Sequence, residues 1–179
     1  GTPAGHGYID DCQRHGVCAG GAQKGESAVM RYVLAYMGYL FRHKAHVWRA
    51  GRRLGVPVVA LLLHDVDKVL DLPLYANAYH FHVPNPPIVK WRHYRHSKHH
   101  FQSWSYVADD GTVVALPIPD RHRREMLSDW TGAALVTGGK DGTSWYRQYR
   151  DTIALHPQTR AWVEKILGIK GESSHRPHA

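Results

Sequence analysis

Apolar positions recur at steps of three and four from Ser27 to Leu54. Val33, Tyr36, Leu40, His43, Val47, Ala50 and Leu54 fall along one face, and Gly55 stands where such a helix would stop. After Val56-Pro57, a favourable helix opening, the apolar run Val58 to Leu63 leads directly into His64-Asp65-Val66-Asp67-Lys68-Val69-Leu70. A segment apolar almost all round predicts a central buried helix. Asp71 to Pro87 is aromatic and Pro-rich, with Asn85-Pro86-Pro87 marking a loop, and a very basic stretch from Lys90 to His100 follows. Tyr106-Val107-Ala108 and Thr112 to Ala115 flank Asp109-Asp110-Gly111, which predicts a short hairpin. Pro117 to Asp120 opens a further helix with His122, Glu125, Met126, Asp129, Ala133 and Val136 facing inward, and Gly138-Gly139 ends it. Trp145, Tyr149 and Ile153 predict another helix, and Pro157 to Leu167 a last one stopped by Gly168. The expectation is a mainly α fold: a helical bundle with one short β-hairpin, forming a single domain over residues 27–169. Residues 1–26, Gly-rich and without periodicity, read as a flexible N-terminal arm, and residues 170–179 as a disordered tail.

Composition sharpens this picture in three ways. A chain of 179 residues with 43% hydrophobic positions is one ordinary domain with enough apolar surface for a core. The two cysteines, Cys12 and Cys18, both fall in the Gly-rich leader, so neither a disulfide framework nor a four-thiolate zinc site organises the fold. Together with His15 they are possible metal donors of the leader, although incidental thiols in an arm are the simpler reading. No apolar stretch approaches the roughly 20 residues of a membrane helix, and the first residues carry no hydrophobic signal core, so a cytoplasmic protein without a membrane partner is expected. Finally, a formal charge of +8 and fifteen histidines suit an anionic partner: a nucleotide, a nucleic acid or a phosphorylated metabolite.

The adjacent pair His64-Asp65 at the end of an apolar run carries the chemistry. Burying both side chains is costly unless they are paired or bind a metal. Imidazole and carboxylate together are good donors for Mn, Fe, Co, Ni or Zn, one ion or two. The helical faces supply two further inward ligands, His43 and Asp129, giving the candidate metal set His43, His64, Asp65 and Asp129. His46, at the edge of the same stripe, competes with His43. Each residue also has a plain reading: a core histidine, a structural His-Asp pair, or a partner for Arg124.

A lone His, then His-Asp, then a distant Asp resembles the HD superfamily of metal-dependent phosphohydrolases. His43, His64-Asp65 and Asp129 carry the match, and Lys68 completes the His-Asp-x-x-Lys form frequent there. The blocks His43 to Gly55, His64 to Lys68, His99 to Trp104, Glu125 to Trp130 and Leu155-His156-Pro157 are similar to a family of small, functionally uncharacterised phage and bacterial proteins. The resemblance spans Arg42 to Leu167 and implies an HD-like bundle. It also implies that His93 and His99 or His100 hold a second ion, with Asp65 bridging; these histidines are alternatively a general acid or a phosphate donor.

The function expected from this reading is hydrolysis of a nucleotide, a deoxynucleoside mono- or triphosphate, by a metal-activated water. Lys68, His93, His99, His100 and Glu125 are the candidate catalytic residues, Glu125 by orienting a ligand or water from one turn before Asp129. Arg95, Lys98 and Arg124 are the candidate phosphate-binding residues, with Arg121 a further one. Asp67 reads as either a partner for a ligand or a surface charge. The alternatives are an HD-type di-iron oxygenase on a small polar substrate, and a non-enzymatic basic nucleic-acid-binding protein with a structural metal. A homo-oligomer is the expected assembly, although no sequence feature specifies it.

Overall fold

The apolar stripe beginning near Val33 becomes the buried side of α1, Ala19–Leu54, in the computed structural model, which describes residues 19–169. The helix starts at Ala19 rather than Ser27, reaching into the stretch that composition assigned to the arm. The leader donors Cys12, His15 and Cys18 and the tail 170–179 lie outside the described residues. Tyr36, His43 and Val47 are buried along α1, and Gly55, at φ 72°, ends it as expected.

The predicted continuous helix from Pro57 to Leu70 is not formed. α2 is only Val58–Leu63, and Asp65 takes the left-handed conformation at φ 59° before a 3-10 stretch, Val66–Asp71. Asp is among the few side chains that tolerate this region. The break lets the consecutive side chains of His64 and Asp65 approach one cluster, whereas an unbroken helix would turn them about 100° apart. Nor is the segment buried all round: Leu61 packs against Gly51 of α1, while Val59, Leu62 and Leu63 are exposed. A six-residue helix on the outside of α1 has only one face to bury.

The aromatic stretch after Asp71 is also more ordered than its prolines suggest. It forms α3, Leu72–Phe81, with a proline in its first turn, and Tyr75 stacks on Tyr36 of α1 at 5.9 Å between centroids. α4, Pro87–His96, carries the first half of the basic segment and stops at Ser97. Because the helix ends at His96, His93, His96 and His100 do not lie on one helical face. His96 points out and bonds the carbonyl of Arg92, while the chain doubles back after Ser97 to bring in His99 and His100.

The hairpin is β1, Ser105–Val107, paired antiparallel with β2, Val113–Ala115, in the register Tyr106 to Val114. α5, Asp120–Val136, then lies against α1 on one side and α6, Gly142–Tyr149, on the other. Packing on two sides buries Leu127, Trp130 and Ala134 besides Glu125 and Met126, and leaves the expected inward residues His122, Ala133 and Val136 only half-buried. α7, Pro157–Leu167, packs Val163 into a core with Trp130, Tyr146 and Ile153. Each fully buried aliphatic side chain of this kind contributes about 1.5–3 kcal/mol. The fold is mainly α with one short β-hairpin. No helix among the described residues is long and apolar enough to cross a membrane.

Candidate metal centre

Two groups of buried side chains meet where α1, the turn after α2, the end of α4 and α5 converge, and both use Asp65. The first is His43, His64, Asp65 and Asp129; the second is Asp65, His93, His99 and His100. Within each group one donor atom per residue lies within 4.8 Å of all the others. The two oxygens of Asp65 are divided between them. Oδ2 lies 3.5 Å from both His43 Nε2 and His64 Nε2, while Oδ1 lies 3.5 Å from His93 Nε2 and 3.6 Å from His99 Nε2. Asp129 Oδ1 completes the first group at 3.0 Å from His43 Nε2 and 3.3 Å from His64 Nε2.

These distances do not make a satisfied hydrogen-bond network. Among the described residues, His43 Nδ1 and Nε2, His64 Nε2, His99 Nε2 and Asp65 Oδ1 are buried without an aligned hydrogen-bond partner, and all of them except His43 Nδ1 have only imidazole–carboxylate contacts of 3.0–3.6 Å. An unsatisfied buried polar group costs about 1–3 kcal/mol, so a cluster of them calls for a common partner. Cations at the two groups would meet all of these atoms except His43 Nδ1, and nitrogen and carboxylate donors suit a transition metal. The arrangement is able to hold a metal ion.

The other ring nitrogens explain why Nε2 is the free donor. His64 Nδ1 is 3.2 Å and His99 Nδ1 3.3 Å from Glu125 Oε1, so one carboxylate holds two rings. His93 Nδ1 is 2.7 Å from Asp67 Oδ2, which also accepts from Ser97 Oγ at 3.3 Å. A carboxylate on Nδ1 anchors the ring and keeps a proton there, so Nε2 is the atom that faces inward and would meet a metal on releasing its own proton. His100 Nε2 lies 2.6 Å from His93 Nε2, and the two rings point at a shared space. Burial, reinforced by His99 and His93, pushes the His100 pKa well below its ordinary value, so that ring is neutral.

Charge in the cluster is strongly coupled. Burial alone would lower the pKa of His43 and His64, but the surrounding carboxylates raise each to about 9. Burial would likewise raise Glu125, yet His64 and His99 hold it down at about 2. Lys68 Nζ sits 2.6 Å from Asp65 Oδ2 and, against the effect of burial, helps to keep that carboxyl well below the usual range.

The structure thus assembles His43, His64, Asp65, Lys68, His93, His99, His100, Glu125 and Asp129, and it resolves Asp67 as the partner of His93. His46 belongs to neither group. The phosphate-binding candidates are placed differently. Arg124 is committed to the scaffold, donating from Nη1 to the Leu54 carbonyl at 2.8 Å and pairing with Asp120 at 2.6 Å. It thereby caps the end of α1, a contact that the sequence did not predict. Arg95 is exposed and stacks on Trp91 at 5.3 Å, Lys98 is exposed, and Arg121 bonds its neighbour His122.

Sequence reasoning missed a cavity beside the first group, lined on α1 by Met37, Leu40, Phe41 and Lys44. Its signal was present, because these positions follow one another at helical spacing and include Leu40 of the stripe that carries His43.

The sequence model of a family of unknown function, DUF5662, matches residues 90–169, a span that contains His93, His99, His100, Glu125 and Asp129 but neither His43 nor His64-Asp65. No curated protein and no solved structure matches the chain.

Proposed function

We propose that the chain is an HD-type metal-dependent phosphohydrolase acting on a phosphate-bearing small molecule, with nucleotides as the first class to test. The observation that carries this reading is the division of the Asp65 carboxylate between two histidine-rich ligand groups. His43, His64, Asp65 and Asp129 would hold one divalent ion, and Asp65, His93, His99 and His100 a second. Such ions lower the pKa of a bound water toward neutrality and stabilise attacking and leaving oxygens of a phosphoryl group.

The remaining residues support that chemistry by position. Glu125 and Asp67 fix the rings of His64, His99 and His93. Lys68 keeps Asp65 ionised and is the cation nearest the cluster, so it is the candidate to meet substrate charge. His100, neutral and a member of the second group, is available as a ligand there.

The test is metal analysis of protein purified without a histidine tag, joined to a phosphate-release screen of nucleotides and simple phosphate esters under Mn, Co, Ni, Mg and Zn. The expected result is about two ions per chain and metal-dependent phosphate release, both lost in Asp65→Ala. Bound iron with oxygen uptake and no phosphate release would replace this reading with the oxygenase. Salt-sensitive nucleic-acid binding without turnover would replace it with the binding protein.

A further inference from the structure

The cavity next to the first ligand group has a character that the ligand groups do not explain. Its volume is about 140 Å³, and Met37, Leu40 and Phe41 of α1 and Val69 of the 3-10 stretch line it. His43, His64 and Asp65 form part of the same wall, so the space is continuous with the first group. Anything seated there is in reach of the proposed metal centre.

The wall offers little to a polar guest. Apart from those three residues, Lys44 supplies its polar side chain, and the Lys44 ammonium already donates to the carbonyls of Leu62 at 2.7 Å and His64 at 3.4 Å. Among the described residues, no carboxylate, amide or hydroxyl side chain besides Asp65 lines the space. A nucleobase pressed into it would leave donors on its edge without acceptors, at about 1–3 kcal/mol for each group left unpaired. An apolar cavity of roughly 150 Å³, by contrast, takes one benzene ring.

We infer that this cavity is the specificity pocket of the site and receives a compact apolar group, about one six-membered ring, carried by the phosphate-bearing substrate. The inference rests on the proposed metal centre, and it narrows the substrate from nucleotides to esters or phosphonates with a small apolar organic part. Selectivity then resides in Met37, Leu40, Phe41 and Val69, which touch the organic part, while the histidines and carboxylates face the phosphorus end.

Calorimetric titration of the manganese-loaded chain with phenylphosphonate, methylphosphonate and deoxyadenosine monophosphate tests this without requiring turnover. Phenylphosphonate is expected to bind at least tenfold tighter than methylphosphonate, and tighter than the nucleotide, because ring burial adds apolar area at no polar cost. Val69→Trp, a change at an exposed position that fills the cavity, and Met37→Trp from α1 should each erase the tenfold preference. Val59→Trp, on exposed α2, should retain it. Equal binding of the two phosphonates, binding of neither, a preference that survives both filling variants, or tighter binding of the nucleotide would each overturn the inference. Phosphate release from phenyl and methyl phosphate separates this from the hydrolase reading. A binding preference without release keeps the pocket and removes the hydrolase; release from both esters alike without a binding preference does the reverse.

Discussion

The Lys68 ammonium lies 2.6 Å from Asp65 Oδ2, the same oxygen that faces His43 and His64 in the first ligand group. The contact follows from the 3-10 stretch that begins after Asp65, which brings a residue three positions on back over the carboxylate. Without an ion, Lys68 is the nearest positive charge to a buried carboxylate. A metal at the first group would take over part of that role.

Lys68→Met should therefore destabilise the metal-free chain, by up to about 3 kcal/mol, since it leaves the buried Asp65 carboxylate with only the more distant histidines as counter-charges. Added manganese or zinc should restore a larger share of stability in the variant than in the unchanged chain. Urea denaturation with and without metal measures both effects, and identical midpoints for the two chains would remove the counter-charge role.

Glu125 and Asp67 hold the outer nitrogens of the ligand histidines, and their effect should appear in affinity. Glu125→Gln and Asp67→Asn should each weaken metal binding by roughly 10–100-fold while the chain stays folded. Competition with a chelating dye reads this directly, and unchanged affinity in both variants would argue that the rings orient themselves.

The histidine pKa values give a signed pH dependence. His43 and His64 are raised from 6.5 to about 9 in the folded chain. Their contribution to stability is complete below about pH 6.5 and is lost as pH rises through about 9. Glu125 is lowered from 4.5 to about 2, so its contribution is present above about pH 4.5 and lost as pH falls toward 2. The metal-free chain should thus be most stable between about pH 4.5 and 6.5 and decline toward pH 9. The gain in Tm on adding metal should move the other way, growing with pH, because the ligands must release protons. Thermal melts across this range, with and without metal, check both slopes.

Gly132 sets the distance between α1 and α5 at the site. A Cβ there would come within 2.6 Å of Val47 Cγ2 and 3.2 Å of His43 Cε1. Gly132→Ala should cost about 1–3 kcal/mol through overpacking and should also weaken metal binding, because His43 and Asp129 sit on the two helices being forced apart. Gly38→Ala on α1, where no atom of the described residues lies within 4 Å of the added Cβ, is the control. It should stabilise by about 0.5–1 kcal/mol without touching metal affinity, and a metal defect in both variants would detach the effect from this contact.

The sequence by itself determined those features that depend on local periodicity and turn chemistry. The stripe through His43 and Val47, the stop at Gly55, the hairpin around Gly111 and the α7 stop at Gly168 are each written in residues close together in the chain. The same stripe reasoning selected His43 over His46, and the cost of burying His64-Asp65 marked that pair before any packing was known. Tertiary structure decided what local preference misreads. The helix beyond Leu63 breaks at Asp65 because two adjacent polar side chains must approach one cluster, which helical propensity does not encode. His99 and His100 join His93 through a reversal after Ser97, a matter of chain path and not of spacing. Arg124 was drawn to the Leu54 carbonyl seventy residues earlier, and Glu125 to two histidine rings at once, because a buried donor or charge is satisfied by whichever partner the packed helices bring near.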